Sequence, residues 1–409
     1  MRMARRVFFC AVLALTVTAP AIAEPNKPIL ERAQHYQADA LKLLERLVNI
    51  DSGTGYEEGL KQVGAIAIEE LTALGMTIET VSAKPAAGDN IVASLTGTGK
   101  GKVLLIAHMD TVFAKGTAAA RPFQIEDGRA YGPGVSDDKG GIVAAVHVLK
   151  ILRDLNFKDY ARITVLLNTN EETGSRGTRA LIEQLAKEHD VSLNLEAGRA
   201  GDGIVIWRKG LARLTIEVKG RAAHAGGSPE AGRNAAMELA NQVLQVAKLG
   251  NREKQTTVNV TVLQSGDRSN VIPDLAIAQA DVRALVSEEF DRVEREAAAI
   301  ARNSKLIPDT EVSATLVRSF PIMPQNAQTD ALAKMAQSIY GELGRTLKLE
   351  GSGGAADSSF AAGVFKPALD GLGIIGGNAH TDREYAEIAS IPPRFYLLTR
   401  LVMELGKGQ

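Results

Sequence analysis

The sequence is poor in cysteine and in aromatic residues. Among its 409 residues there is one cysteine, Cys10, and phenylalanine, tryptophan and tyrosine together make up 4%. A chain with a single cysteine cannot form an internal disulfide, so a hydrophobic core must stabilise it, and the length is sufficient for a large one. The length also suggests two domains.

The sequence also lacks an excess of either charge and a long apolar run. The formal net charge is −1 at pH 7, which argues against nucleic acid as a partner. The main apolar run near the N-terminus covers residues 7–17 and is too short to span a bilayer. We therefore expect neither a nucleic acid nor a membrane as a partner.

The N-terminus has the pattern of a secretory signal peptide. Three arginines precede the apolar run, and an Ala-x-Ala sequence follows it at 21–23. We expect residues 1–23 to be removed and the mature protein to be periplasmic or secreted; the alternative is a helix of the mature fold. Since Cys10 would be removed too, metal ligands in the mature chain would have to be histidine, aspartate or glutamate.

The first half of the mature chain alternates between strand and helix patterns. Apolar runs at 103–106 and 163–167 predict buried strands, and apolar residues at helical spacing over 142–152 predict a helix. Such repetition indicates an α/β fold whose mostly parallel sheet carries helices on both faces. We assign residues 24–210 to the first part of a catalytic domain.

The pattern changes between residues 211 and 322, which we call the inserted unit. Alternating apolar residues from 214 to 218 predict a strand, and the elements that follow give the order β-α-β-β-α-β. This is the order of a ferredoxin-like α+β unit, whose outer strands need a partner or a cover. The α/β pattern returns at 323–409, so we expect this unit to be inserted into the catalytic domain.

Polar residues suited to a metal follow the predicted strands. The sequence His-Met-Asp-Thr lies at 108–111, Asn-Glu-Glu-Thr-Gly at 170–174, and a glycine-rich turn with two aspartates at 132–141. Each alone is a weak signal, because turns favour aspartate and helix starts favour acids. Together with Glu196 and His380 they supply the imidazoles, carboxylates and bridging carboxylate that a two-metal hydrolase needs.

These motifs resemble those of the M20 family of zinc peptidases, and within it the glutamate carboxypeptidases of the G2 type. The resemblance covers essentially the whole mature chain. It implies a zinc-exopeptidase-like fold with two Zn²⁺ per subunit. The metal ligands that it implies are His108 and Glu196 for one zinc, Glu172 and His380 for the other, and Asp137 as the bridge.

The resemblance also assigns the catalytic groups. Glu171 becomes the general base and acid, and Asp110 orients His108, as metal-bound imidazoles normally require. The chemistry of the residues agrees, because a zinc pair lowers the pKa of a water so that hydroxide forms near neutral pH. Glu171 would take the proton of that water and return it to the leaving amine.

The inserted unit contributes three further residues by resemblance. His224 resembles the family histidine that reaches the active site of the partner subunit and stabilises the oxyanion. Asn270 and Arg283 resemble contacts to the substrate carboxylate, for which the guanidinium fork is well shaped. The resemblance therefore implies a homodimer formed through this unit. The alternatives are a loop histidine without a role and an arginine in a strand-edge salt bridge.

Two positions depart from the family pattern: Ala197 follows Glu196 where many relatives have proline, and the more important departure lies before Pro321. Relatives that cleave folates carry arginine immediately before the proline that is Pro321 here, where it helps to hold the glutamate of the substrate. This chain has Phe320 at that position, which leaves the preference for C-terminal glutamate open. An apolar ring beside the substrate would favour apolar side chains.

Three histidines outside these motifs receive no functional role, and one of them, His147, lies on the predicted helix after the glycine-rich turn, where we expect it to pack or to face water. His35 and His189 lie on polar stretches with helical spacing. We expect both imidazoles to face water.

The sequence thus predicts an exported di-zinc carboxypeptidase that releases a C-terminal amino acid, with glutamate the leading candidate. The substrate would be a small peptide or an N-acyl-amino acid. An N-acyl-amino-acid deacylase or a dipeptidase with the same metal site is the second interpretation. A non-catalytic, metal-stabilised binding protein is the third, and it leaves Glu171 without a purpose.

Overall fold

The computed structural model describes residues 24–408. The predicted signal peptide, residues 1–23, lies outside the described residues. Among the helices that are described, none has the length and apolar character needed to cross a bilayer.

The described chain contains eleven α-helices and eighteen strands. The helices are α1 (Lys27–His35), α2 (Gln37–Val48), α3 (Glu57–Ala73), α4 (Thr117–Ala120), α5 (Lys139–Asp154), α6 (Arg179–Glu188), α7 (Ala235–Val246), α8 (Ser287–Asn303), α9 (Ala327–Gly341), α10 (Ser358–Gly363) and α11 (Ile391–Gly406). The strands are β1 (Thr77–Ser82), β2 (Asp89–Thr96), β3 (Lys102–His108), β4 (Gln124–Glu126), β5 (Arg129–Tyr131), β6 (Arg162–Asn168), β7 (Val191–Asn194), β8 (Gly203–Arg208), β9 (Gly210–Lys219), β10 (Ala223–His224), β11 (Thr257–Ser265), β12 (Val271–Ile272), β13 (Leu275–Ala284), β14 (Glu311–Phe320), β15 (Lys348–Ser352), β16 (Ala368–Leu369), β17 (Gly376–Gly377) and β18 (Tyr385–Glu387).

The central sheet has the order β1-β2-β6-β3-β7-β16 and is parallel from β6 to β16. In β3, Val103 and Leu105 face the core formed with α5 and α11, while Leu104 and Ile106 face the core formed with α6 and α10. Successive side chains of a strand point to opposite faces, so an unbroken apolar run fits a strand covered on both sides. The predicted mostly parallel sheet with helices on both faces is confirmed.

The C-terminal segment adds the edge strand of the central sheet and half of a separate two-stranded sheet. Strand β16 pairs in parallel with β7, and β15 pairs in parallel with β8. Residues after the inserted unit therefore pack into the fold that the first half of the chain begins.

The inserted unit forms a separate antiparallel sheet with the order β11-β13-β9-β14. Helices α7 and α8 pack on one face, where Leu214, Ile216 and Val218 of β9 are buried. This strand order with two helices on one face is the ferredoxin-like arrangement that the pattern predicts. Strand β11 is an outer strand of this sheet.

The expectation that His189 faces water is wrong. The imidazole is buried between α6 and the central sheet, where its Nδ1–H donates to the Leu185 carbonyl (2.6 Å). Its Nε2 accepts from the Thr164 hydroxyl (2.8 Å), so the neutral ring satisfies both neighbours. Burial lowers the pKa of His189 to about 4. The polar residues beside His189 in the sequence did not indicate its burial, because α6 ends at Glu188 and the chain then turns toward β7. His35 is exposed, as expected.

Candidate active site

Three neighbouring parallel strands deliver most of the candidate site residues. His108 ends β3, Glu171 and Glu172 form the turn after β6, and Glu196 follows β7. Because β6, β3 and β7 are adjacent and parallel, their carboxyl ends meet at one edge of the sheet. Asp137 reaches the same edge from the loop before α5.

The ring of His108 is held by one nitrogen and presents the other to carboxylates. Its Nδ1 lies 2.9 Å from the main-chain carbonyl oxygen of Asp110, which can only accept a hydrogen bond. Nδ1 therefore carries a proton, and Nε2 is the nitrogen that faces the carboxylates. That Nε2 lies 3.0 Å from Asp137 Oδ1 and 3.7 Å from Glu196 Oε1.

Asp137 extends its second oxygen toward the other histidine. His380 Nε2 lies 3.2 Å from Asp137 Oδ2 and 3.1 Å from Glu172 Oε2. His380 has a left-handed backbone (φ 65°), which is uncommon outside glycine and is found at functional sites. The structure thus brings together all five predicted ligands. We call His108, Asp137, Glu172, Glu196 and His380 the metal-site cluster.

The spacing of these atoms fits metal coordination. Nitrogen and oxygen ligands about 2.0–2.1 Å from a tetrahedral zinc lie roughly 3.3 Å from each other. The four separations within the metal-site cluster run from 3.0 to 3.7 Å. They divide into two groups of one imidazole and two carboxylates, and the groups share Asp137. The donor set is therefore suited to divalent metal ions.

The electrostatics of the site also call for cations. Burial raises the pKa of Glu171 and Glu172, and it raises the pKa of Glu196 to about 8 with help from the charge of Asp137. Hydrogen bonds to Asp137 and Glu172 raise the pKa of His380 to about 10. So many buried carboxylates repel one another unless protons or metal ions compensate their charge.

Asp110 holds the turn that carries both glutamates. Its carboxylate accepts hydrogen bonds from the Thr54 hydroxyl (2.6 Å) and from the backbone N–H groups of Glu171 (3.0 Å) and Glu172 (3.2 Å). The Glu171 side chain is buried, and one of its oxygens lies within 4.8 Å of donor atoms of His108 and Glu196. Asp110 thereby orients the candidate base as well as the His108 ring.

The sequence motifs missed a buried carboxylate behind this turn. Asp357 accepts hydrogen bonds from Asn168 Nδ2 (2.6 Å) and from the Ser175 hydroxyl (2.5 Å). Burial raises the pKa of Asp357 to about 6. Its only sequence signal was a place in a stretch rich in glycine and serine, which describes any loop equally well.

The three residues predicted in the inserted unit form no hydrogen bond or ion pair with the metal-site cluster, although Arg283 Nη1 donates to the Gly353 carbonyl (2.9 Å) outside that unit. His224 is exposed, and its Nδ1 accepts from the backbone N–H groups of Gly226 (3.2 Å) and Gly227 (2.9 Å). Asn270 is also exposed and lies beside His224 through the pairing of β10 with β12. Arg283 forms a two-pronged ion pair with Asp281, its Nε lying 2.9 Å from Oδ1.

The Phe320 ring makes packing contacts in this structure, close to the turn that carries Glu171 and Glu172. The ring is buried and packs against Phe360 at a centroid distance of 4.9 Å. The Arg179 guanidinium covers both rings, and its Nε donates to the carbonyl of Gly174 (2.8 Å). The expectation of an apolar substrate contact at Phe320 stays a prediction, and in this structure the ring packs against Phe360 and Arg179.

Comparison with known proteins agrees with this geometry. The model of peptidase family M20/M25/M40 matches residues 104–404. The chain is 39% identical over 410 residues to carboxypeptidase G2 from Pseudomonas sp. (strain RS-16), covering 99% of each protein. Aminopeptidase PepT from Bacillus cereus has the same fold, with a TM-score of 0.76 at 22% identity over 90% of this chain and 98% of that one. So does an M20 family metallo-carboxypeptidase from Sulfolobus solfataricus, with a TM-score of 0.68 at 18% identity over 90% and 98%. The chain therefore belongs to peptidase family M20/M25/M40 and is a hydrolase of that metal-dependent family.

Proposed function

We propose that this protein is an exported carboxypeptidase that binds two Zn²⁺ per subunit and releases a C-terminal amino acid, with glutamate the leading candidate. The observation that carries the proposal is the position of Asp137, whose two oxygens lie 3.0 and 3.2 Å from the Nε2 atoms of His108 and His380. The similarity to carboxypeptidase G2 along the whole chain supports the reaction class. Export rests on the signal pattern of residues 1–23.

The proposed roles follow from the geometry of the site. His108 and Glu196 would hold one metal ion, Glu172 and His380 the other, and Asp137 both. Bound zinc ions would supply Lewis acidity and a water of lowered pKa.

Glu171 lies beside these donors without being needed as a ligand. It would therefore accept the proton of the attacking water and return it to the leaving amine. Asp110 would keep Glu171 aimed at the reacting atoms through its hydrogen bonds to the turn.

Two other functions use the same metal site. The first is a deacylase of N-acyl-amino acids. It is kept because a relative at 24% identity over 89% of this chain is named succinyl-diaminopimelate desuccinylase, from Dechloromonas aromatica. A dipeptidase is the other. A binding protein without activity is disfavoured, because a buried Glu171 beside the metal ligands would serve no purpose in it.

A paired assay tests the proposed reaction. We expect the zinc-loaded protein to release glutamate from N-acyl-glutamate faster than it releases leucine from N-acyl-leucine, by less than a hundredfold because Phe320 replaces an arginine. The measurements are kcat/KM for both substrates and for a dipeptide with a free amine, each with and without chelator. Turnover of the free dipeptide alone would contradict the carboxypeptidase assignment in favour of a dipeptidase.

We also propose that the inserted unit forms a homodimer and that His224 serves the site of the partner subunit, with Asn270 and Arg283 binding the substrate carboxylate. Strand β11 is an outer strand, and α7 beside it exposes Met237 and Leu244 by 52% and 69%. An outer strand with apolar neighbours is suited to pairing with a second copy.

Mixing two inactive variants tests the shared site. Subunits with Glu171→Gln and subunits with His224→Ala should recover activity after exchange, because one site of each heterodimer then has an intact Glu171 and receives an intact His224. The other site of the heterodimer carries both changes. The measurement is turnover after subunit exchange verified by mass. Absence of recovery, or a monomer by light scattering at assay concentration, would refute the proposal.

A further inference from the structure

Glu384 is a buried acid that joins two loops of the site. It lies four residues after His380, is 1% exposed, and has its carboxylate turned toward the loop that carries Asp137. One oxygen accepts from the Gly134 N–H (2.9 Å). The other accepts from the N–H and hydroxyl of Ser136 (2.9 and 3.1 Å) and from the Asp137 N–H (3.0 Å).

These hydrogen bonds are needed because the loop before α5 is buried. Residues 132–136 are shielded from water, so their backbone N–H groups require acceptors within the protein. At the first position of α5, Lys139 Nζ donates to the carbonyls of Ile50 (2.8 Å) and Pro133 (3.3 Å). The Lys139 amine thus satisfies carbonyl groups around the loop, and the Glu384 carboxylate satisfies its N–H groups.

The small sheet beneath the site brings the two loops together. Strands β4, β5, β18 and β17 form one antiparallel sheet, in which β5 leads into the Asp137 loop. The β17–β18 hairpin carries His380 in its connection and Glu384 just before β18. A Cβ at Gly376 of β17 would lie 2.2 Å from Ser136 Cβ, which shows how closely the hairpin approaches the loop.

We propose that Glu384 is a positioning residue that assembles the two metal positions as one unit. It fixes the backbone of Asp137, which faces both histidines, and it belongs to the hairpin that supplies His380. Loss of its carboxylate would let these two ligands move relative to each other. The inference rests on the proposed metal site and adds a residue that is neither a ligand nor a catalytic group.

The test measures zinc binding directly, in a titration of chelated protein against a competing chromophoric chelator. We expect Glu384→Gln to weaken zinc affinity by about 10- to 100-fold, the usual effect of removing a group that orients metal ligands. An amide offers one acceptor oxygen and turns its NH₂ toward N–H donors. Glu384→Asp keeps the charge at a shorter reach and should recover part of the affinity.

Glu387→Gln is the matched control. Glu387 lies three residues further along, in β18, and its carboxylate faces Arg129 at 3.9 Å on the surface. This variant should bind zinc as the wild type does, and thermal unfolding of the metal-free proteins should show that all variants fold. If Glu384→Gln does not fold, the zinc affinity of Glu384→Asp, compared with that of the wild type, decides whether Glu384 positions the ligands.

The outcomes separate the two proposals. Zinc affinity equal to that of the wild type in both Glu384 variants that fold would overturn the positioning role. Partial recovery in Glu384→Asp supports it, since a mere loss of packing would not respond to charge. Wild-type protein that binds no zinc would contradict the metal site itself, whatever the Glu384 variants do.

Discussion

Replacing Glu171 with glutamine is expected to lower kcat by about 10²- to 10⁴-fold while the metal content stays at the wild-type value. The amide keeps the size of the side chain but cannot accept a proton from water. The turn that carries residue 171 should keep its shape, since Asp110 holds it through backbone N–H groups that the substitution leaves in place. Turnover and metal content are measured on the same preparation.

Glu188→Gln serves as the control for this experiment. Glu188 is an exposed acid at the end of α6, paired with Arg162 at 3.1 Å, so its loss should leave kcat unchanged. A Glu171→Gln protein with full metal content and nearly wild-type kcat would show that another group moves the proton.

Removing the metal ions with a chelator is expected to abolish turnover, and His380→Ala is expected to reduce the zinc content of reloaded protein from two to one per subunit. His380 supplies the only imidazole of its group, with Nε2 near Asp137 and Glu172. The side chain is 55% exposed, so truncation should leave the core and the His108 group intact. Elemental analysis of chelated and reloaded protein gives the stoichiometry.

His35→Ala is the matched control for the metal analysis, because His35 is exposed on α1. The His35→Ala protein should bind two zinc ions per subunit and keep the activity of the wild type. One zinc per subunit in the wild type, with the same value in His380→Ala, would exclude the bridged pair.

Local patterns predicted the parts of the site that strands deliver. His108 and the 171–172 turn directly follow unbroken apolar runs, and such runs become buried parallel strands whose exits share one edge of the sheet. The order of elements from 211 to 322 likewise predicted the ferredoxin-like sheet. Hydrophobic periodicity is a short-range property, so it can be read without knowing what packs against each element.

The resemblance to a known family was needed for the more distant residues. Glu196 and His380 are 184 positions apart, and their motifs carry little information in isolation. The count of imidazoles and carboxylates suggested them, and the family pattern assigned each to a metal. Their separations from His108 and Asp137 could only be measured in the folded chain.

The sequence by itself determined the fold class, the inserted unit and the donor types at the site. The tertiary structure alone decided the surroundings of Glu384, Phe320 and His189. Glu384 meets buried N–H groups about 250 residues earlier in the chain, Phe320 is covered by Arg179, and His189 is enclosed beneath the sheet. Burial and hydrogen-bond partners of this kind depend on which distant segments come together, and a local pattern does not encode that.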